Sequence, residues 1–287
     1  MRIPWAPKAI VKGNSPVFRD TSSMMRIGRM AIVAAVAGMA CTGRVAQAVV
    51  VNMGTTAGYA MLSAAGVTST GATVINGDIG LSPLTTLTGS PVVNGVVHAN
   101  DTAAIQAMVD AQSAYAAVAL LSYDANLSGQ DLGGQVLTPG VYHFANSAQL
   151  TGNLTLDGLG QENPSFIFQI GSTLTTAAES SILIINGAYV GNIIFQVGSS
   201  ATLGIGTDFL GIIIANQSNT LTTGATVQGG VFALNGAVTL DGNTVGAVPE
   251  PATAGLMVLG MLMILAFRRP GKTVESGDSG ARYLVAR

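Results

Sequence analysis

A polar threonine followed by an apolar leucine returns along the second half of the chain. The pairs are Thr155-Leu156, Thr173-Leu174, Thr202-Leu203, Thr220-Leu221 and Thr239-Leu240. The leucine intervals are 18, 29, 18 and 19 residues, the long one carrying an apparent insertion of about 11 residues around 186–196. A period near 18 is too short for paired-helix repeats, whose units run roughly 33–45 residues. It fits one turn of a β-solenoid, with two or three short strands joined by tight turns. Each interval carries a second apolar run: Phe166 to Phe168, Ile182 to Ile185, Ile212 to Ile214 and Val231 to Ala233. Stacked from coil to coil, these runs form a continuous core. In the first half, Thr70-Gly71-Ala72-Thr73-Val74 repeats Thr223-Gly224-Ala225-Thr226-Val227 letter for letter, so residues from about Tyr59 to His98 supply further coils.

One stretch breaks the period. Residues 101–123 are alanine-rich and contain neither Gly nor Pro. Ile105, Met108, Val109, Gln112, Tyr115, Ala119 and Ser122 recur at helical spacing, which predicts one buried face of a long helix lying along the solenoid. Asn100 or Asp101 suits its N-cap. The expected fold is mainly β: a solenoid of roughly 18-residue coils with one long α-helix packed beside it.

Charge narrows the functional classes. Residues 49–248 contain no Lys or Arg and ten acids. A nucleic-acid partner needs cations against its phosphates, so that class is excluded. The same region has no cysteine, hence no disulfide framework, and no motif for a cofactor or a metal. His98 and His143 stand about 45 residues apart with no companion motif. Asp157, Glu179, Asp208 and Asp241 fall near comparable turns, where two carboxylates of a hydrolase would have to meet; the bland reading is solvated turn residues.

The ends read as addresses. Residues 1–48 form a leader, with a secretory signal peptide at 24–48: Arg26 and Arg29, an apolar stretch from Met30 to Ala40, and Ala46-Gln47-Ala48 for cleavage. Cys41, the only cysteine, is a lipoprotein acceptor or a spare residue of that leader. Residues 49–248 form the domain. Val248-Pro249-Glu250-Pro251 opens a 249–269 segment, with an apolar run from Ala252 to Phe267 and then Arg268-Arg269. At 16 residues the run is shorter than the roughly 20 of an untilted span, so it is a short anchor or a sorting signal. Its order resembles the PEP-CTERM sorting signal of Gram-negative bacteria, although an 18-residue tail, 270–287, comes after the arginines. That resemblance implies an exosortase-type processing enzyme and delivery to the outer cell surface.

The domain itself resembles the microbial ice-binding protein family. The resembling stretches are Gly54-Thr55-Thr56-Ala57-Gly58-Tyr59, Val74-Ile75-Asn76-Gly77-Asp78-Ile79-Gly80, Leu137-Thr138-Pro139-Gly140-Val141-Tyr142, Phe166-Ile167-Phe168-Gln169-Ile170-Gly171-Ser172-Thr173-Leu174 and Asn235-Gly236-Ala237-Val238-Thr239-Leu240-Asp241. The resemblance implies a discontinuous right-handed β-helix with a long helix alongside, a secreted monomer without catalysis, and ice as partner, read out as thermal hysteresis or inhibition of recrystallisation. It also implies a Thr-Ala/Gly-x-Thr/Asn pattern. Thr70-Gly71-Ala72-Thr73 and Thr223-Gly224-Ala225-Thr226 match it, and Thr176-Ala177-Ala178-Glu179 matches in part. Strand alternation directs Thr226, Thr222 and Thr73 outward and turns Thr223 and Thr70 inward unless a bend intervenes. The repeat as aligned places Thr175 with Thr222, Gly204 between them, and puts Thr239 on a different exposed face. The candidate site is therefore Thr226, Thr73, Thr222, Thr175, Thr223 and Thr70. The alternative is a structural or adhesive cell-surface protein associated with exopolysaccharide.

Overall fold

A computed structural model describes residues 49–248. The leader, including the signal at 24–48, and the segments 249–269 and 270–287 lie outside the described residues.

The chain winds through three parallel sheets of nine, seven and eight strands. Sheet A contains Tyr59–Ser63, Phe166–Ile170, Ile193–Val197 and Val231–Ala233; sheet B contains Val67–Thr70, Leu174–Thr176, Ala201–Leu203, Asn219–Leu221 and Val238–Asp241; sheet C contains Val74–Asn76, Ser181–Ile185, Asp208–Leu210, Thr226–Gln228 and Thr244–Gly246. Successive strands visit A, then B, then C, and each pairs with the strand one coil away. Ile194 pairs with Ile212 and Ile213 with Val231, steps of 18 residues, whereas Phe166 pairs with Ile193, a step of 27. The surplus is the connection after Ser181–Ile185, with its short 3-10 turn at Val190–Asn192. Stacking does not follow chain order. Tyr59–Ser63 pairs with Val231–Ala233 of the last coil, and the first coils extend the stack beyond it.

Inward residues from all three sheets make one core. Phe144, Phe166, Phe168, Phe195 and Phe209 are fully buried. Phe168 and Phe195 stack at 4.3 Å between ring centroids, and Phe195 meets Phe209 at 4.8 Å. Each such side chain contributes about 1.5–3 kcal/mol by leaving water. Three polar side chains inside the corners are paired within the protein: Thr176 and Thr207 share a 2.7 Å hydroxyl bond, and Asn243 donates to the carbonyls of Thr222 and Ala225. Gly224 and Gly71 take positive φ at the turns leading from B to C, which a side chain would strain.

The single α-helix among the described residues, α1, spans Thr102–Ala119 and lies on the outer side of sheet A. The Asp101 carboxylate caps it, accepting from the Ala104 N–H at 2.8 Å. Its far end comes sooner than residue 123: the Leu120 N–H bonds back to the Ala117 carbonyl, and Gln169 of sheet A donates to the carbonyls of Val118 and Leu121. Those bonds satisfy carbonyls that a helix end otherwise leaves bare. The buried face also differs from the expected one. It is Ala104, Ala107, Met108, Ala111, Ala114 and Val118, while Ile105 and Val109 remain 45% and 47% exposed. Small alanines let the helix settle closely on Leu62, Val141, Ile167, Ile194, Ile212 and Ile214. Sheet A is thereby buried on both sides, which is why Phe166–Ile170 is buried at every position rather than at alternate ones, its one polar residue, Gln169, being bonded to the helix end.

Candidate functional site

Sheet B has only one buried side. Its strands alternate: Leu174, Ala201, Leu203, Leu221, Val238 and Leu240 point into the core, and the residue between each pair points out. Cα pairing brings those outward residues into one row: Gln149, Thr175, Thr202, Thr220, Thr239, Thr68 and Thr88. Six of the seven positions are threonine. Strand stacking spaces them at about 4.7–4.9 Å, and the β-branch holds each χ1 stiff. Among the described residues, the hydroxyls of Thr175, Thr202, Thr220 and Thr239 have no protein hydrogen-bond partner, so they are free to hold water; Thr88 donates to Thr68 at 3.1 Å.

Outward residues two places before the row include Ser147, Thr173, Ser200, Ser218 and Ala237; those two places after it include Ala177, Gly204, Thr222, Asp241 and Thr70. Asp241 carries the only charge in these ranks. It accepts from Thr223 at 2.5 Å and from Thr70 at 2.9 Å, and these two hydroxyls hold its carboxyl below the usual carboxylate range.

The six threonines singled out from sequence scatter. Thr175 alone stands in the row, paired with Thr202 and not with Thr222. Thr222 sits at the corner, its hydroxyl donating to the Leu203 carbonyl at 2.7 Å. Thr223 and Thr70 are exposed and bound to Asp241. Thr226 is on sheet C, half-buried, donating to Asp208 at 2.6 Å. Thr73 does not face outward: it is 1% exposed and donates to the Thr70 carbonyl at 3.2 Å. The identical pentapeptides are one residue out of step, since Thr226 pairs with Thr244 and Thr244 with Val74, which puts Thr73 level with buried Ala225. Thr239, expected on another face, lies in the middle of the row.

Thr202, Thr220, Thr239, Thr68 and Thr88 stand in the row but outside the motif. The signal for most of them is present in the Thr-Leu pairs: a leucine facing inward forces the threonine before it outward.

Sheet C makes a different surface. Its outward residues mix aliphatics, Leu183 at 45% and Ile185 at 43% exposed, with Asp208, Thr226 and Asn76. The carboxylates nominated from sequence serve their surroundings: Asp157 accepts from the Leu159 N–H and from Asn186, and Asp208 from Thr226. His98 and His143 lie toward opposite ends of sheet A; His98 bonds Asp101 at 2.8 Å, and His143 stacks on Tyr123 at 4.8 Å.

The fold is thus a stacked parallel solenoid whose sheet B carries a hydroxyl-bearing face with a single acid, Asp241, in its outward ranks. The chain belongs to the ice-binding-like family, whose sequence model matches residues 61–246. It is 46% identical over 265 residues to the ice-binding protein of Nostoc sp. (strain HG1), covering 86% of this chain and 98% of that one. The crystal structure of the ice-binding protein from the Antarctic ascomycete Antarctomyces psychrotrophicus superposes with a TM-score of 0.67 at 39% identity, covering 70% of this chain and 99% of that one. An ice-binding protein from an Antarctic biological consortium gives 0.67 at 41% identity, covering 70% and 94%.

Proposed function

We propose that this protein binds ice through the outward side of sheet B, and that the row Thr175, Thr202, Thr220, Thr239, Thr68 and Thr88 is the contact. The observation that carries the reading is the row itself: six threonines in unbroken register, with the hydroxyls of its middle members unclaimed by protein. Each threonine offers a methyl that orders nearby water and a hydroxyl that anchors it. A regular row repeats that arrangement, so the first water layer forms a template continuous with the crystal. Long charged side chains would blur it, and residues 49–248 have no Lys or Arg.

The protein is a non-catalytic monomer that acts outside the cell. The leader exports it, and the 249–269 segment delivers it to the surface through an exosortase-type enzyme or holds it there. The structural or adhesive reading stands second, favoured by the same apolar segment. The deciding experiment is to grow a single ice crystal in a solution of the purified protein. Faceting and arrested growth are expected; a crystal that grows as a smooth disc, as in buffer, would transfer the account to the adhesive reading.

A further inference from the structure

The two ends of the domain lie side by side. On entry, the Val49 N–H donates to the Ser165 hydroxyl at 3.1 Å, and Val49 to Val51 share a hollow with Asn163, Gly191 and Asn192. On exit, the chain leaves sheet C after Gly246; the Ala247 N–H bonds the Asn76 carbonyl at 2.8 Å, and Val248 lies with Tyr59, Gly191 and Phe232 in an adjoining hollow. Gly191 borders both hollows. It belongs to the connection from Ser181–Ile185 of sheet C to Ile193–Val197 of sheet A. Both ends therefore sit at the corner shared by sheets C and A. In a solenoid whose coils run A, B, C, that corner is the one opposite sheet B.

The sequence after Val248 is suited to a bilayer. Pro249 and Pro251 stiffen the link, Ala252 to Phe267 is uninterrupted by charge, and Arg268-Arg269 can reach lipid headgroups. The domain carries ten acids and no Lys or Arg between residues 49 and 248, so as a whole it is repelled by an anionic membrane. Only the tether attracts.

We infer that the protein is an oriented bridge: the 252–267 segment enters a lipid bilayer at the C/A corner, and sheet B is presented away from the membrane to a second surface, ice. The second surface rests on the sheet B reading, but the geometry of attachment is independent of it. A tether at this corner leaves the threonine row unobstructed, whereas one on sheet B would bury it.

The test uses the full chain reconstituted into phosphatidylethanolamine–phosphatidylglycerol vesicles, beside a chain lacking residues 252–267. The full chain should float with the vesicles and the deleted chain should not. A slowly advancing ice front should take up protein-bearing vesicles several-fold more than bare ones. A second arm couples single-cysteine variants, in a Cys41→Ser background, to beads: Asn163→Cys at the C/A corner should give beads that adhere to ice, and Thr239→Cys on sheet B should not. Flotation that survives the deletion would overturn the tether. Vesicles rejected by ice, while vesicle-free full chain still shapes crystals, would overturn the orientation. If vesicle-free protein shapes no ice, the sheet B reading fails instead, and flotation still reports on the tether.

Discussion

Sheets B and C are built by the same coils, face water on one side each, and yet differ in what their hydroxyls do. On sheet B the outward row is nearly all threonine, and the middle hydroxyls are unspent. On sheet C Thr226 is spent on Asp208, and its row, Asn153, Ser181, Asp208, Thr226, Thr244, Val74 and Val92, holds two threonines among seven positions. A threonine on a β-surface is an ordinary strand former; in the proposed reading, register and a free hydroxyl make a set of them a template.

The largest change should come from removing the support common to both faces. Phe195 lies in the aromatic stack beneath the middle coils. Phe195→Ala should cost about 3–5 kcal/mol, read as a lower urea midpoint, and ice activity should disappear with the fold rather than before it. A variant that lost ice activity at full stability would show that the template is more delicate than the core. Next in size, Ala111→Leu should wedge α1 off sheet A at a cost of about 1–3 kcal/mol. Below its melting temperature that variant should shape ice as the parent does, because the helix backs sheet A and not sheet B. Loss of activity there would mean that strain travels across the core.

These contrasts also show how much of the molecule is legible in its letters. Coil length, core runs and the helix come from periodicity, and periodicity survives insertions. The site does not, because it depends on register, and a one-residue slip exchanges inside for outside. Thr70 to Val74 and Thr223 to Val227 are the same five letters, yet through Thr244 the register aligns Val74 with Thr226, leaving Thr73 buried and Thr226 half-buried. The intervals mislead in the same way at Thr173-Leu174: the register selects Thr175 for the row. On the helix, apolar bulk points to Ile105 and Val109, but close packing prefers the alanines.

The smallest effects should be electrostatic. With ten acids and no Lys or Arg in the domain, salt has no cation–carboxylate pairs to weaken and only like-charge repulsion to screen, so stability should rise modestly with salt. Acid should matter more. The Ala104 N–H and His98 hold Asp101 below the ordinary 3.8, and the Thr55 N–H does the same for Asp110. A carboxyl depressed in the folded state contributes stability that is full above its unfolded value and is lost as pH falls through the folded one. The melting temperature should therefore be level above about pH 5 and decline below the ordinary carboxylate range. A decline beginning near neutrality would contradict this origin.

The central claim is that ice meets sheet B and not sheet C. Thr220→Tyr and Thr226→Tyr place the same bulk on the two faces, each at an outward position where stability should change by only about 0.5 kcal/mol. Recrystallisation of a frozen sucrose solution, followed against protein concentration for both variants and the parent, compares them directly. The account predicts that Thr220→Tyr loses most of the inhibition and Thr226→Tyr keeps it. Full inhibition by a folded Thr220→Tyr, or its loss in Thr226→Tyr, would contradict it.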